Sequence, residues 1–163
     1  HDTLLRCINL LKNEKIQLLI IGNGSNKYKL ERYILEKNLI SKVKIIPFQN
    51  NPHKYLKIAD IFLLTSKFEG LPNVLLEALV LEKFIISSNC PTGPKEILLK
   101  GKGGLLFKTG DYKDLSRKLI YYKNNKNKCS KMLKLSIRHL DRFDYKKNLE
   151  NYYKIVKSYI DLK

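Results

Sequence analysis

Tryptophan is absent from this chain of 163 residues, methionine occurs once and cysteine three times. Cys7, Cys90 and Cys129 are odd in number and far apart, with no Cys-x-x-Cys pair and no histidine at ligand spacing. That pattern argues against a disulfide framework and against a zinc site. No apolar run approaches the roughly 20 residues of a membrane-spanning helix, and no signal peptide precedes the first expected helix. A reducing cytoplasm is the compartment expected. Histidine is scarce too: none of His1, His53 and His139 lies beside a serine or cysteine in a nucleophile context, so a hydrolytic triad has no support.

Acidic residues are also few, 15 against 32 Lys and Arg, and the formal net charge is +17. Such an excess raises nucleic acid as a partner. Here the cations are overwhelmingly lysines scattered among Asn and Ile, without an Arg-rich block or an aromatic-basic stripe. A solvated surface is the first reading, an anionic membrane face the second, and nucleic acid is not expected. No single helix is expected to combine lysines with exposed large apolar residues, so vesicle binding is expected to be weak. A hydrophobic content of 44% and the length together fit one domain with an ordinary core, spanning 1–163.

The periodicity predicts an alternation of strands and helices. Asp2 is positioned as an N-cap before a helix over 2–13, and Ile16–Ile21 is a continuous apolar strand ending at Gly22-Asn23-Gly24. Helices are then expected over 28–37, 52–59, 73–81 and 94–99, and strands over 43–46, 61–65, 84–87 and 105–107. Beyond Asp111, a second cap, only helices follow: to about 122, then 130–141 and 145–160, with the Lys/Asn run 123–128 as a turn. Short strands that are apolar throughout and alternate with helices imply a Rossmann-like α/β fold, a parallel sheet covered on both faces, with a helical C-terminal tail. Ligands of such sheets sit outside the carboxyl ends of the strands. The segments 22–26, 47–51, 67–73 and 88–93 should therefore ring one cleft.

The richest stretch is Phe68-Glu69-Gly70-Leu71-Pro72-Asn73-Val74-Leu75-Leu76-Glu77, in which two carboxylates stand eight positions apart across a turn-to-helix junction. Gly70 and Pro72 punctuate the loop, and the apolar run from Val74 reads as a helix. Free N–H groups at its start favour an anion such as phosphate. Carboxylates on either side can accept hydroxyl hydrogen bonds on both flanks of a diphosphate, which suits a nucleotide-sugar. Glu77, between Leu76 and Ala78 in an apolar helix, is expected to be buried or ligand-paired. Gly22-Asn23-Gly24 begins like a dinucleotide fingerprint but lacks the third glycine, since position 27 is Lys; a tight turn and a pocket wall both remain open. Phe48, in Pro47-Phe48-Gln49-Asn50-Asn51, is either core or a cleft-edge side chain.

The motif resembles the Glu-x7-Glu motif of the group 1 glycosyltransferases, the family 4 of retaining GT-B enzymes. The order of Leu18-Leu19-Ile20-Ile21-Gly22-Asn23-Gly24, Val43-Lys44-Ile45-Ile46-Pro47-Phe48, Ala59-Asp60-Ile61-Phe62-Leu63-Leu64-Thr65-Ser66, the motif, and Pro91-Thr92-Gly93-Pro94-Lys95-Glu96-Ile97 supports the resemblance from His1 to about residue 160. It implies the C-terminal, nucleotide-sugar-binding half of a GT-B enzyme. Glu69 would then be the catalytic-face carboxylate near sugar and phosphates, and Glu77 would accept the ribose hydroxyls. Amides near Leu71, Asn73 and Val74 would meet the phosphates, Gly70 and Pro72 would belong to the same donor-binding loop, and Phe48 would border the base. The wording around Pro91–Ile97 favours UDP as the donor nucleotide.

The same resemblance implies transfer of a hexosyl unit to a lipopolysaccharide, capsule or lipid-linked glycan precursor, with retention by a front-face route. No cofactor is expected, and no metal, because no Asp-x-Asp pair is present and the family relies on helix dipole and basic residues. The family's Arg/Lys pair lies upstream of the segment matching His1–Leu5. The first strand and the N-terminal acceptor domain are thus expected to be absent, and the chain alone to be inactive. The implied location is cytoplasmic, peripheral on the inner membrane face. A reading of another class is a non-catalytic Rossmann-like module binding nucleotide or protein, the remnant of a split gene.

Overall fold

The computed structural model describes residues 1–160; residues 161–163, the last of the expected 1–163 span, lie outside them. The order is α1 (Asp2–Leu10), β1 (Leu18–Ile21), α2 (Lys27–Glu36), β2 (Val43–Ile46), α3 (His53–Ile58), β3 (Ile61–Leu64), α4 (Asn73–Val80), β4 (Phe84–Ser88), α5 (Pro94–Ile97), β5 (Leu105–Phe107), α6 (Tyr112–Asn124), α7 (Lys126–Arg138) and α8 (Tyr145–Ile160). Short 3-10 turns at Leu99–Gly101 and Leu140–Phe143 follow α5 and α7. The expected α/β class is what the structure has, and every strand pairing is parallel.

The ladder falls into two parts. β1 pairs with β2 from Leu18↔Val43 to Ile21↔Ile46. β4 lies between β3 and β5, with Ile61↔Phe84 and Ile86↔Leu105 in register. β4 is buried at all five positions, as a strand covered on both faces must be. Its alternation divides the core. Phe84 and Ile86 join Leu5 of α1 and Leu115 of α6, whereas Ile85 joins Leu75 and Leu79 of α4 and Ile97 of α5. Each such Leu or Ile contributes about 1.5–3 kcal/mol by leaving water, so the two clusters clamp β4 from opposite sides.

Three expectations are corrected. Asp2 is the first residue of α1, not its cap; His1 takes the N-cap position without a side-chain bond, and the helix stops at Leu10. The Lys/Asn run is no turn, because α6 reaches Asn124 and α7 begins at Lys126 with only Asn125 between them. Lysine is a good helix former, and Lys126 lies 3.8 Å from the centre of the Tyr122 ring. Finally, α8 combines what no helix was expected to combine. Tyr145, Leu149, Tyr152, Tyr153, Val156 and Ile160 recur at helical spacing and are exposed, beside Lys146, Lys147, Lys154 and Lys157.

The second predicted cap holds. Asp111 Oδ1 accepts the N–H groups of Lys113 at 3.0 Å and Asp114 at 2.9 Å. The Asp114 amide above all holds this carboxyl below its usual range. Among the described residues, no helix is long and apolar enough to cross a membrane.

Candidate functional site

Parallel strands end on one side of their sheet, so the loops after β1, β2, β3 and β4 gather there. Side chains then tie them in pairs. The Phe48 N–H donates to Asn23 Oδ1 at 3.4 Å, linking the loops that follow β2 and β1, and Tyr55 of α3 donates to Gln49 Oε1 at 3.0 Å. Gly22 carries φ +140 at the end of β1, where a side chain would be strained, which supports the tight-turn reading of Gly22-Asn23-Gly24. Phe48 is 65% exposed and is therefore not core.

The loops after β3 and β4 are joined more closely. Ser88 Oγ donates to the Ser66 carbonyl at 2.6 Å, and Thr92 Oγ1 donates to the Glu69 carbonyl. Gly93 has φ +80, and a Cβ there would run into the Gly70 carbonyl oxygen and the Pro72 ring. Only glycine lets the two loops lie this close. The backbone around Glu69, Gly70, Leu71 and Pro72 is thereby held from behind, while Glu69 itself is half-buried, Leu71 stays 48% exposed and Pro72 is buried.

Pro72 then opens α4. It sits at the N-cap in extended conformation and offers no side-chain cap, and the first turn closes with Leu75 N–H on the Pro72 carbonyl at 2.9 Å. The amides of Asn73 and Val74 are left without an intrahelical acceptor, at the positive end of the helix. Along α4, Leu75, Ala78 and Leu79 turn inward, so Asn73, Glu77 and Val80 face outward. Glu77 is consequently not buried, although its neighbours are apolar. Its Oε2 meets His53 Nε2 of α3 at 3.1 Å, the two side chains being 44% and 50% exposed. An open cleft of about 370 Å³ lies against this pair and is lined also by Asn73 and Leu76.

Of the residues singled out for the donor site, Phe48 follows β2 and Glu69, Gly70, Leu71, Pro72, Asn73, Val74 and Glu77 follow β3; the cleft beside Glu77 is lined by Asn73 but by neither Phe48 nor Glu69. His53, Thr92 and Asn23 were not singled out for these contacts. Their partners lie 24, 23 and 25 positions away in sequence, and no local pattern announces such pairs. Among the described residues, no group of three or more His, Cys, Asp or Glu is placed to hold a metal ion.

A parallel α/β layer whose post-strand loops lead to an uncapped helix start, with carboxylates on both sides of it, is an α/β architecture that offers an anion-favouring helix start at its strand ends. The particular family follows from comparison: residues 1–139 match the description "Glycosyl transferases group 1", and the chain belongs to that family. An uncharacterized glycosyltransferase of Methanocaldococcus jannaschii is 44% identical over 87 residues, covering 53% of this chain and 21% of that protein. The N-acetylgalactosamine-N,N'-diacetylbacillosaminyl-diphospho-undecaprenol 4-alpha-N-acetylgalactosaminyltransferase of Campylobacter jejuni is 36% identical over 106 residues, covering 65% and 29%. The matched segments therefore cover less than a third of the length of these relatives. Among solved structures, Anabaena HepE in complex with UDP and glucose superposes with a TM-score of 0.85 at 17% identity, over 97% of this chain and 44% of that one. The fold is that of the C-terminal half of a GT-B glycosyltransferase.

Proposed function

We propose that this chain is the donor-binding half of a retaining glycosyltransferase that moves a hexosyl unit from UDP to a lipid-linked saccharide, such as a lipopolysaccharide, capsule or glycan precursor. The observation that carries this reading is the α4 start. Two amides without helical acceptors stand one turn from a solvent-facing carboxylate, above an open cleft. In this reading the amides of Asn73 and Val74, with those of Gly70 and Leu71, receive the diphosphate. Glu77 accepts the ribose hydroxyls, and Phe48 covers the face of the base. The solved relative holding UDP and glucose supports the donor class, and the Campylobacter enzyme named for an undecaprenol-linked acceptor supports the acceptor class.

Glu69 faces the sugar and its bond to phosphate. During transfer that C1–O bond breaks, the acceptor hydroxyl oxygen bonds C1 on the same face, and its proton passes to the departing phosphate oxygen. Glu69 contributes charge and hydrogen bonding beside C1, and the helix start stabilises the negative charge on the leaving group. Work on a lipid-linked acceptor implies a peripheral position at the inner membrane face. The apolar and lysine-rich surface of α8 supports that location.

The decisive measurement is UDP calorimetry and steady-state transfer in a protein that also contains the acceptor half. Glu77→Gln keeps the shape but weakens charge-assisted hydrogen bonds, so UDP affinity falls by roughly 1–3 kcal/mol. Glu69→Gln lowers kcat while UDP affinity stays near the parent's. Parent-like UDP binding by Glu77→Gln would overturn the ribose assignment.

A further inference from the structure

Residues two apart in a helix do not share a face, and on α3 this separation sends His53 and Tyr55 to different parts of the candidate site. The Tyr55 hydroxyl donates to Gln49 Oε1 at 3.0 Å, and the Gln49 amide nitrogen donates in turn to the Phe48 carbonyl at 3.2 Å and the Pro47 carbonyl at 3.3 Å. His53 instead meets Glu77 of α4, Nε2 to Oε2 at 3.1 Å. α3 buries none of its residues fully, and Leu56 is the side chain through which it packs on the cluster around Leu75. The helix therefore carries a polar relay from the backbone of the loop after β2 to the second carboxylate of the Glu69–Glu77 stretch.

Glu77 has little else to hold it. Apart from the pair itself, the cleft of about 370 Å³ beside it is lined by Asn73, Leu76, Val80 and Leu81, none of them charged. Among the described residues, no hydrogen bond involves Glu77 Oε1. An ionised carboxylate only accepts, so the proton of the bond sits on His53 Nε2, and Oε1 keeps its lone pairs for another donor. Glutamate loses much rotamer freedom when it is fixed, and ordering it at the moment of binding costs affinity that a pre-placed side chain keeps. Both partners are about half exposed, so the pair adds little to folding stability. What it sets is the place of Oε1.

We infer that His53 is a positioning residue of the donor site: it holds Glu77 with Oε1 open to a ribose hydroxyl and ties that carboxylate, through α3, to the loop of Phe48. The inference rests on the reading of Glu77 as the ribose acceptor. A nucleoside diphosphate that carries the ribose hydroxyls then gains from His53, and one without them does not.

The test is calorimetry on a protein that also contains the acceptor half, with UDP and a dideoxy-UDP lacking both ribose hydroxyls as probes, for the parent, His53→Phe and His53→Gln. The parent should prefer UDP. His53→Phe keeps an aromatic ring but removes the donor, so UDP affinity should fall by about three- to tenfold, while dideoxy-UDP binds as it does to the parent. His53→Gln returns an N–H donor near the place of Nε2 and should recover most of the loss. Urea midpoints of both variants should match the parent's. A His53→Phe protein that keeps the parent's preference, a loss of affinity shared by both nucleotides, a loss that tracks a lowered urea midpoint, or a His53→Gln protein no better than His53→Phe would each overturn the inference and leave the ribose reading of Glu77 standing. A parent without preference for UDP would overturn that reading and this inference with it.

Discussion

Cys7 is fully buried in the cluster beneath α1, and burial pushes its thiol up to about 12. The thiol of an unfolded chain ionises near 8.5. The unfolded state therefore loses its proton first, and the stability tied to the neutral thiol is whole below about 8.5 and declines as pH climbs toward 12. Urea midpoints of the wild type should fall more steeply than those of Cys7→Ala above about pH 8.5; parallel curves would show that Cys7 is not the source. At this scale the two glutamates and their spacing could be read from the sequence because one turn-and-helix segment carries both. The environment of Glu77 could not. Apolar neighbours in a helix say little about the face a given residue takes, which α4 settles by turning Leu75 and Leu79 inward and Glu77 out to His53.

Helices and strands were legible wherever an apolar period met a clear stop, as in β2, β5 and α8, whose limits the sequence predicts. The α6–α7 junction was not. A lysine- and asparagine-rich run resembles a turn by composition, yet its lysines propagate helix readily and Cys129 anchors α7 in the core. The face of α8 poses the opposite problem: periodicity shows a stripe but not what covers it. With no residue of α8 buried among the described residues, its tyrosines and aliphatics are exposed beside four lysines. In the location proposed above, anionic vesicles should retain the chain near physiological salt, and Tyr152→Ser with Val156→Ser should release it. Co-sedimentation across a salt series measures this. Binding that disappears by about 0.15 M salt, where the screening length is near 8 Å, would leave only diffuse attraction to the net charge.

For the molecule as a whole, parallel polarity could be deduced from apolar strands between helices, but the break in the ladder could not, because periodicity does not reveal which strands are neighbours. UDP should bind the isolated 163-residue chain weakly, and a transfer assay with lipid-linked acceptors should detect no product; sustained turnover by this chain alone would contradict the proposed division of labour. The close seat of Gly93 against Gly70 and Pro72, with Thr92 bonded to the Glu69 carbonyl, has an evolutionary consequence. A graft that sets a residue with a Cβ at position 93, or a different backbone at 70–72, would meet a clash at the join, so in the donor-binding reading proposed above the two loops would have to be exchanged together.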